Sequence, residues 1–422
     1  MAFVVIGSGA AGISAAEKLR QLGKEVAVVS RWTRSYSLCS LPYMLSGEVA
    51  EERLFNYDEK AFEATGIRPI LGKDAISIDI EGKQLILEDG QRISYDALLI
   101  ATGSIPFVPT GVSGDSPHVF FFNSLEDTRR LMEASRSAKS AVVIGAGFSG
   151  LECAYALRTR GLAVSVVEME DRVLPRILDR DMSPPVEEVL AANGVKLYLR
   201  ARVQDLTMDG EQACVRLSSD DGAKDIRTDL TVLCLGVRPD IPLARLAGLR
   251  TNRGIVVGSD MQSSVPGIYA AGDVAEFEGA IPATWLTAAI QGSVAASNMA
   301  GRKATFSHLS QVNIATLFGV PVVGIGTTAT YLKEPHESRL WKKGPVWRKL
   351  ITSRGKAAGY QAVGDLKGRG MVSLLSKELK PLQDVFARWG RHHPALSCPA
   401  ALGLRPGRAR ASGHTRRPRG TR

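Results

Sequence analysis

The amino-acid sequence predicts an α/β fold in which one βαβ unit occurs twice. Residues 3–30 align with residues 141–168 at a constant shift of 138, so that FVVIGSGAAG matches AVVIGAGFSG and VAVVS matches VSVVE. A second pair, DALLIATGSIP at 96–106 and DLTVLCLGVRP at 229–239, shares an Asp, a Gly and a Pro at the same spacing. A chain of 422 residues is too long for one ordinary hydrophobic core. The two repeats therefore predict two domains of similar topology.

Each βαβ unit has a glycine-rich turn between its first strand and its helix. The glycines of the two G-x-G-x-x-G turns are Gly7, Gly9 and Gly12 in the first unit and Gly145, Gly147 and Gly150 in the second. In such a turn the first two glycines allow a pyrophosphate to approach the backbone, and the third allows the helix to pack on the strand. The N–H groups that open the first helix, at Ala10 and Ala11, are further candidates for this site. Two such turns at equal internal spacing indicate two dinucleotide sites.

The residue that ends the second strand of each unit is a candidate for binding an adenosine ribose. In the second unit this residue is Glu168, whose carboxylate can accept both ribose hydroxyls and repels a 2′-phosphate, so that NADH is favoured over NADPH. The alternative is an exposed glutamate without this role. The first unit has Ser30 at this place, a weaker acceptor without charge, and Arg31 follows as a further candidate.

The second repeat predicts a fully buried strand followed by a turn in each domain. The candidate cofactor contacts in these turns are Thr102, Gly103 and Gly236. A further predicted strand, residues 267–271, leads into Gly272 and Asp273 just before a helical stretch. A carboxylate there can bind a polyol or ribityl hydroxyl, or it can cap the helix, and the residues alone do not decide between the two.

Composition narrows the remaining classes of function. The 45% hydrophobic and 23% charged residues are typical of a soluble globular protein, and no apolar run approaches the ~18 residues that span a bilayer, so we expect a cytoplasmic protein without a membrane partner. Five scattered cysteines without a C-x-x-C pair argue against a disulfide framework and a metal site. The net charge of +10 lies almost entirely in nine arginines after residue 387. Residues 386–422 are therefore expected to form a disordered basic tail, and nucleic-acid binding is disfavoured.

The order of the motifs resembles one known family. The segments ATG at 101–103, GVRP at 236–239 and AAGD at 270–273 occur around the two glycine-rich turns as they do in the FAD-dependent pyridine nucleotide–disulfide oxidoreductases. The resemblance implies an enzyme with two Rossmann-like domains, in which the first unit binds FAD, the inserted second unit binds NAD(P)H, and two chains form a homodimer. The implied bounds are residues 1–110 and 250–302 for the FAD domain, 111–249 for the NAD(P)H domain and 303–385 for a smaller α+β C-terminal domain that resembles the family's dimerisation domain.

The resemblance also implies roles for two acidic residues. Asp273 would hold the ribityl chain of the flavin. Glu152, in the helix after the second glycine-rich turn, resembles the family's glutamate near the flavin. A solvent-facing helix residue is the alternative for Glu152, and both interpretations stay open at this point.

Cys39 lies in SYSLCSLPY, a pattern that resembles the family's single-cysteine branch of coenzyme A-disulfide reductases, NADH oxidases and NADH peroxidases. Met44 stands where two-cysteine members have their second cysteine. Because Pro42 suits the first turn of a helix and Gly47 suits its end, Cys39 is expected close to a helix N-terminus, where the helix dipole would stabilise a thiolate. Cys39 is therefore predicted to be a redox thiol, with a passive packing residue as the alternative.

Three departures from the family bear on the electron acceptor. Oxidases and peroxidases carry a His inside the first glycine turn, where this chain has Ala10, and this favours a coenzyme A-disulfide reductase. Those reductases usually have Asn before the cysteine, where this chain has Leu38. The family's C-terminal aromatic segment, which supplies tyrosines as proton donors, has no counterpart after Tyr360.

The predicted reaction passes electrons from NADH through FAD to Cys39 and then to a small disulfide such as coenzyme A disulfide, or to peroxide or oxygen. One alternative is an electron-transfer reductase of the rubredoxin, ferredoxin or nitrite reductase type, which would deliver to an electron-carrier protein without using Cys39. A non-enzymatic redox sensor is the other alternative.

Overall fold

A computed structural model of the chain describes residues 2–109, 118–209, 212–220, 222–281, 283–307 and 311–365. The predicted disordered tail, the last part of the predicted C-terminal domain and Cys398 lie outside these residues. The strands and helices observed in the described residues form three sheet-based regions that follow one another along the chain, with the first region interrupted by the second.

The first region contains the first βαβ unit. Its elements are β1 (Phe3–Ile6), α1 (Ala10–Gln21), β2 (Val26–Ser30), β3 (Ser35–Tyr36), α2 (Leu41–Ser46), β4 (Phe55–Tyr57), α3 (Glu59–Ala64), β5 (Arg68–Leu71), β6 (Ala75–Asp79), β7 (Gln84–Leu87), β8 (Arg92–Ser94), β9 (Ala97–Ile100) and β10 (Ser104–Pro106). Short 3-10 turns span Leu38–Ser40 and Glu51–Arg53.

The second region contains the second βαβ unit. Its elements are β11 (Val119–Phe121), α4 (Leu125–Ala134), β12 (Ser140–Ile144), α5 (Phe148–Thr159), β13 (Ala163–Val167), α6 (Pro184–Ala192), β14 (Lys196–Tyr198), β15 (Arg202–Asp209), β16 (Gln212–Ser219), β17 (Gly222–Thr228), β18 (Leu230–Leu233) and β19 (Val237–Pro239). A 3-10 turn spans Arg180–Met182.

The chain then returns to the first region and finally forms the third. The returning elements are α7 (Pro242–Leu246), β20 (Ile255–Val257), β21 (Ile268–Ala270), β22 (Ala275–Phe277) and α8 (Trp285–Met299). The third region consists of β23 (Val312–Leu317), β24 (Val320–Gly326), β25 (His336–Lys343), β26 (Val346–Ser353) and β27 (Lys356–Val363), with a 3-10 turn at Ala329–Tyr331.

The two βαβ units build parallel five-stranded sheets in which four strands follow the same order, while the remaining edge strand comes after the unit in the first sheet (β21) and before it in the second (β11). The first sheet runs β21-β9-β1-β2-β5 and the second runs β11-β18-β12-β13-β14. The apolar strands β1, β9 and β18 are buried along their whole length, as expected for parallel strands covered on both faces. A three-stranded antiparallel sheet precedes the closing strand in each region, β6-β7-β8 before β9 and β15-β16-β17 before β18. The repeat seen in the sequence is therefore a repeat of topology.

The two connections between the regions pair with each other. Strands β10 and β19 form a two-stranded antiparallel sheet, in which Ile105 lies opposite Arg238. Because these two residues are equivalent in the second sequence repeat, the pairing relates the two connections by an approximate two-fold rotation. The connections thus join the two regions through backbone hydrogen bonds.

Helix α8 packs along α1 with small side chains at the contact. At Gly292 a Cβ atom would lie 2.1 Å from the Ala11 carbonyl oxygen, so no larger residue fits without moving the helices apart. None of the helices in the described ranges is long and apolar enough to cross a membrane.

The third region is an antiparallel sheet of order β23-β24-β27-β26-β25. A buried ion pair between Lys349 on β26 and Asp179 of the second region, with Nζ and Oδ2 3.0 Å apart, joins this sheet to the second region. Asp179 also accepts from the amide of Gln361 at 2.9 Å and from the backbone N–H groups of Ala329 and Thr330, each at 3.2 Å. The carboxylate is thus held by one charge and several hydrogen bonds.

We expect Lys349→Met to destabilise the protein, because it leaves the Asp179 carboxylate buried without its cationic partner. Removing one partner of a buried ion pair typically costs about 3–5 kcal/mol. Thermal unfolding measures this loss as a lower Tm, and Lys343→Met on the exposed strand β25 is the matched control. Equal shifts for both variants would contradict the role of the pair.

The same pair predicts a loss of stability in acid. Burial alone would raise the pKa of Asp179, but the hydrogen bond and charge of Lys349, together with the backbone N–H groups of Thr330 and Ala329, hold the pKa below its ordinary value. A carboxylate with a lowered folded-state pKa stabilises the fold above its unfolded pKa, near pH 4, and loses this effect as the pH falls through the folded pKa. The difference in Tm between wild type and Lys349→Met should therefore shrink below about pH 4.

Candidate functional site

The two glycine-rich turns have nearly the same geometry. Gly7 and Gly145, the first glycines, have φ of +106° and +107°. A Cβ atom at Gly12 would lie 1.9 Å from the Gly7 carbonyl oxygen, and one at Gly150 would lie 2.0 Å from the Gly145 oxygen. The third glycine therefore allows each helix to touch the end of the preceding strand, as the sequence predicted.

The middle glycine of each turn has a different environment. A Cβ atom at Gly9 or Gly147 would meet nothing within 4 Å, so each turn has open space in front of the helix. Both glycines are the N-cap residues of their helices, α1 and α5, and no side chain accepts a hydrogen bond from either helix start.

Helices α3, α4 and α8 are capped by side chains, whereas α2, α6 and α7 begin with a proline near their first position and have no such cap. Ser124 caps α4 and Thr284 caps α8, in each case through the side-chain oxygen. The helix starts at Gly9 and Gly147 thus combine free N–H groups with space for a ligand, which fits an anionic pyrophosphate at each turn.

The strand-end residue of the first unit is occupied by contacts within the protein. The Ser30 hydroxyl lies 2.8 Å from the Ser8 hydroxyl inside the glycine-rich turn and accepts from the Trp32 backbone N–H at 3.2 Å. Arg31 is exposed and forms ion pairs with Asp74 at 3.1 Å and Asp240 at 3.3 Å. Both residues lie at the predicted edge of the sheet, and their contact with a cofactor stays a prediction.

Glu168 takes the same position in the second unit. Its carboxylate is buried and accepts from the Ala146 N–H at 2.8 Å and from the Glu170 N–H at 3.0 Å. Ala146 and Glu170 are the counterparts of Ser8 and Trp32. The carboxylate therefore braces the second glycine-rich turn. The alternative of an exposed glutamate is contradicted by its burial, while the predicted ribose contact stays a prediction.

Asp273 lies beside the start of α1. The Ser104 hydroxyl donates to its carboxylate at 2.9 Å, and burial raises the pKa of Asp273. The preceding Gly272 has φ of +82°, and its N–H donates to the buried Gln291 side chain at 2.9 Å. A Cβ atom at Gly272 would lie 3.1 Å from the Ala11 side chain, so the turn approaches the first glycine-rich turn closely.

The turns after β9 and β18 lead into β10 and β19, the strands of the two connections between the regions. The Thr102 hydroxyl donates to the Asp240 carbonyl at 2.9 Å, which links the end of β9 to the end of β19. Gly103 and Gly236 have φ of +76° and +90°, and open space faces both. These predicted cofactor contacts border the two domains, and their binding role stays a prediction.

The segment that carries Cys39 is fixed to both domains. The Ser35 hydroxyl donates to the Ser8 carbonyl of the first glycine-rich turn at 2.6 Å, and the Tyr36 hydroxyl accepts from the Leu125 N–H of α4 at 3.1 Å. Cys39 then lies in the 3-10 turn that leads into α2, and Gly47, with φ of +85°, ends this helix. The helix predicted from Pro42 and Gly47 is thus present, and Cys39 precedes it directly.

Residues 39–45 show a simple pattern of burial. Cys39 is exposed and Tyr43 is half-buried, whereas the other five residues of this stretch are buried. Leu41 and Met44 pack into a cluster with Leu125 of α4. Cys39 and Tyr43 therefore lie on the same open face of the segment, one helical turn apart.

Helix α5 of the second domain packs against α2. Glu152 and Tyr155 lie one turn apart on α5 and are both half-buried. The Tyr155 hydroxyl donates to Glu48 just after α2 at 2.5 Å, and Arg160 donates to the Leu45 carbonyl at 3.3 Å. Tyr43 lies on α2 with Cys39 just before it, and Glu152 and Tyr155 lie on α5. These partly accessible residues thus belong to two segments that contact each other.

The Cys39 thiol has a raised pKa. Cys39 is exposed to solvent, yet the protein atoms around its sulfur desolvate the thiol. Burial and then the negative charge of Glu152 raise the pKa of Cys39 to about 11, Asp273 adds to the rise, and Ser37 opposes it. The prediction that a helix end stabilises the thiolate is therefore wrong for this environment, because desolvation and nearby carboxylates outweigh a helix of six residues.

The Glu152 carboxyl group also has a raised pKa. Burial raises the pKa of its carboxyl to about 7, so the group changes its charge near neutral pH. The charges of Glu152 and Asp273 both act on the Cys39 thiol, although the three residues lie in different sequence motifs. Glu152 is half-buried and its charge acts on Cys39 and Tyr43, which favours a place near α2 over a solvent-facing one. Its role near the flavin stays a prediction.

The other three cysteines in the described residues lie within secondary structure or directly after it. Cys153 is completely buried in α5, and Cys234, directly after β18, packs against the same hydrophobic cluster. Cys214 lies in β16. Sequence reasoning missed Tyr43, Ser104 and Gln291 as members of the site. Only Tyr43 left a signal, namely its spacing of four residues from Cys39.

A comparison with known proteins identifies the family. Residues 1–292 match the family model of the pyridine nucleotide-disulphide oxidoreductases. The chain belongs to this family. The resemblance inferred from the sequence, the α/β fold class and the assignment as an oxidoreductase are thereby confirmed. Family members use FAD and NADH, so this oxidoreductase is a flavoprotein, as predicted.

Three relatives illustrate the range of the family. The NADH oxidase of Methanocaldococcus jannaschii is 33% identical over 347 residues, which cover 78% of this chain and 77% of the relative. The CoA-dependent NAD(P)H sulfur oxidoreductase of Pyrococcus abyssi is 32% identical over 399 residues, with 86% of each chain covered. The structure of an NAD-dependent persulfide reductase from A. fulgidus superposes with a TM-score of 0.82 at 29% identity and covers 89% of this chain and 76% of that chain.

Alanine at the third and middle glycines should separate folding from nucleotide binding. Gly150→Ala places a methyl group 2.0 Å from the Gly145 oxygen, so we expect a loss of about 1–3 kcal/mol in the free energy of unfolding, seen as a lower Tm. Gly147→Ala points into open space and should keep the Tm but weaken NADH binding, measured by titration. A lower Tm for Gly147→Ala with unchanged NADH binding would contradict the proposed placement.

Glu152→Gln should make Cys39 more reactive. The variant removes a negative charge that raises the pKa of the thiol, so we expect alkylation of Cys39 by iodoacetamide at pH 8 to accelerate on the order of fivefold. Peptide mass spectrometry follows Cys39 separately from the other cysteines. Glu188→Gln on the exposed side of α6 is the control, and equal rates in both variants would show that Glu152 does not act on the thiol.

Proposed function

We propose that the protein reduces a small disulfide with electrons from NADH, and that Cys39 is the thiol that reacts with this substrate. The observation that carries the proposal is an exposed thiol that lies close enough to the Glu152 and Asp273 carboxyl groups to be affected by their charges, in a segment that is hydrogen-bonded to the first glycine-rich turn. Coenzyme A disulfide is the example of such a substrate that the resemblance to the single-cysteine branch implies. The curated relatives named for sulfur chemistry support this class.

The two turns are the proposed nucleotide sites. The first turn, with Gly7, Gly9 and the N–H groups of Ala10 and Ala11, would hold the FAD pyrophosphate, and Asp273 would hold the ribityl chain. When bound, FAD supplies the chemistry that takes a hydride from NADH and passes two electrons to sulfur.

The second turn would hold NADH. Gly147 leaves open space for the pyrophosphate at the start of α5. Glu168, braced at the strand end, would accept the ribose hydroxyls, and its negative charge disfavours the 2′-phosphate of NADPH.

The proposed reaction at Cys39 balances in bonds, electrons and protons. Its thiolate attacks one sulfur of the disulfide, a new S–S bond forms to Cys39, and the other half leaves as a thiolate that takes up one proton. Two electrons and a second proton then break the mixed disulfide, which releases the second thiol and restores Cys39. The net reaction uses two electrons and two protons for each disulfide.

The proposal also covers the electron acceptor and the oligomeric state. Ala10 in the first turn favours a disulfide over peroxide or oxygen, because the resemblance places a histidine there in oxidases and peroxidases. Delivery to an electron-carrier protein remains the competing function. The homodimer and the cytoplasmic location stay predictions, and light scattering of the purified protein tests the homodimer.

Cys39→Ser should abolish disulfide reduction and spare electron delivery to ferricyanide. The variant removes the nucleophile, so we expect the NADH-dependent rate with coenzyme A disulfide to fall about 10³-fold or more. The rate with ferricyanide, which needs no thiol, should stay within about twofold. Cys214→Ser in β16 is the matched control and should retain both activities.

The outcomes separate the rival functions. Full disulfide reduction by Cys39→Ser would contradict the role of the thiol. Wild-type activity with a purified rubredoxin or ferredoxin but with no disulfide would favour the electron-transfer function. Negligible turnover with every acceptor would favour a redox sensor, because ordinary enzymes turn over at about 1–10³ s⁻¹.

A further inference from the structure

Two cysteines other than Cys39 lie side by side next to the second glycine-rich turn. Cys153 is on the second turn of α5, and Cys234 directly follows β18. We propose that this pair is a modification site, in which a small disulfide oxidises the two thiols to a Cys153–Cys234 disulfide that weakens NADH binding. Formation of this bond is independent of the proposed function, whereas its effect rests on the proposed place of NADH at the second turn.

The first argument is that the two side chains meet. Both pack in the same hydrophobic cluster, and the Cys234 side chain acts on the Cys153 thiol through a hydrogen bond. A Cβ atom added at Gly150, one turn before Cys153 on α5, would lie 3.3 Å from the Cys234 Cβ atom. Because residues three apart share one face of a helix, the face of α5 that carries Cys153 lies against Cys234. Side chains in direct contact are what a disulfide between two separate elements requires.

The second argument is that the two thiols differ in access. Cys153 is completely buried, whereas Cys234 is half-buried and precedes the exposed Leu235. Burial, followed by the hydrogen bond and charge of Cys234, raises the pKa of Cys153, so this group stays a thiol at neutral pH. Cys234 is therefore the first of the two to meet an oxidant from solvent, and Cys153 is the neighbour that completes the disulfide.

The atoms and electrons of this oxidation balance. The Cys234 sulfur attacks one sulfur of the small disulfide, forms a mixed disulfide with it and releases the other half as a thiol. The Cys153 sulfur then attacks the Cys234 sulfur, forms the bond within the protein and releases the second thiol. The two cysteines lose two electrons and two protons, and the two released thiols gain them.

The bond acts on the second glycine-rich turn through two close contacts. A Cβ atom at Gly145 would lie 2.3 Å from the Cys234 carbonyl oxygen, and one at Gly150 would lie 2.0 Å from the Gly145 oxygen. Cys234, the turn and the start of α5 are thus packed with little room for adjustment. A disulfide holds its sulfurs about 2.05 Å apart, closer than two thiols that share a hydrogen bond, so its formation draws α5 toward Cys234 and displaces the turn.

The test uses the full-length flavoprotein with the substitution Cys39→Ser, which removes the proposed nucleophile from the reaction. The reduced protein is incubated with glutathione disulfide, free thiols are alkylated, and peptide mass spectrometry identifies the cysteines that are joined. We expect a peptide pair linked through Cys153 and Cys234 as the main product. Absence of this pair overturns the inference, whether Cys234 is then unmodified or carries glutathione.

Calorimetric titration with NAD⁺ measures the effect of the bond on the nucleotide site. NAD⁺ occupies the same proposed site as NADH but does not reduce the flavin. We expect oxidation to raise the Kd for NAD⁺ about tenfold, which equals about 1.4 kcal/mol, and dithiothreitol to restore the original value. An unchanged Kd in fully cross-linked protein overturns the effect of the pair on binding.

Alanine variants in the Cys39→Ser protein separate the cross-link from other effects of the oxidant. Cys153→Ala should stop at the mixed disulfide between Cys234 and glutathione, and Cys234→Ala should leave Cys153 unmodified because it is buried. Cys214→Ala in β16 is the matched control and should keep both the cross-link and the rise in Kd. A rise in Kd of the same size in Cys234→Ala contradicts the inference. The peptide map of the Cys39→Ser protein decides if an alanine variant does not fold.

Failure of this inference differs from failure of the proposed function. Absence of disulfide reduction in the wild type, or its persistence in Cys39→Ser, overturns the proposed function and leaves the cross-link of Cys153 with Cys234 intact. Absence of the cross-link overturns the inference while Cys39 keeps its proposed role.

Discussion

Both nucleotide-binding domains depend on one close approach between a helix and a carbonyl oxygen. At Gly12 and Gly150 the helix backbone comes so near to the end of the preceding strand that a single added carbon would lie about 2 Å from the oxygen of the first glycine. This approach directs the helix axis toward the open side of the turn and leaves its first N–H groups without internal partners. The same constraint therefore sets the packing of the domain and creates a site for an anion.

The surroundings of Cys39 are built by different secondary elements from the two copies of this design. The first copy contributes the segment that carries Cys39, which is fastened to the glycine-rich turn by Ser35. The second copy contributes α5, which starts at the second glycine-rich turn and carries Glu152 one turn further on. The Cys39 thiol is desolvated and lies near the carboxyl groups of Glu152 and Asp273, so it is costly to ionise and becomes more reactive when that negative charge is removed.

Sequence reasoning succeeded where the signal was local. The strand–turn–helix units around Gly7 and Gly145 and the short helix between Pro42 and Gly47 follow from glycine placement, apolar runs and helix-end chemistry. It failed for the pKa of Cys39, because the rise comes first from burial in the folded chain and then from the charge of Glu152, more than a hundred residues away in the sequence. The role of Asp229 was also out of reach. Its carboxylate accepts from the N–H groups of Lys139 and Ser140 at the start of β12, a contact that only the folded sheet creates.

The pairing of β10 with β19 has a consequence for how such a chain can be assembled and taken apart. The inserted domain enters and leaves its host at neighbouring positions, with Ile105 opposite Arg238. A module whose two ends meet in this way can be gained or lost as a cassette without stretching the host domain, since the host needs to close only a short gap. The duplication in this chain is therefore compatible with an ancestral protein that had one nucleotide-binding unit and gained a second copy by insertion.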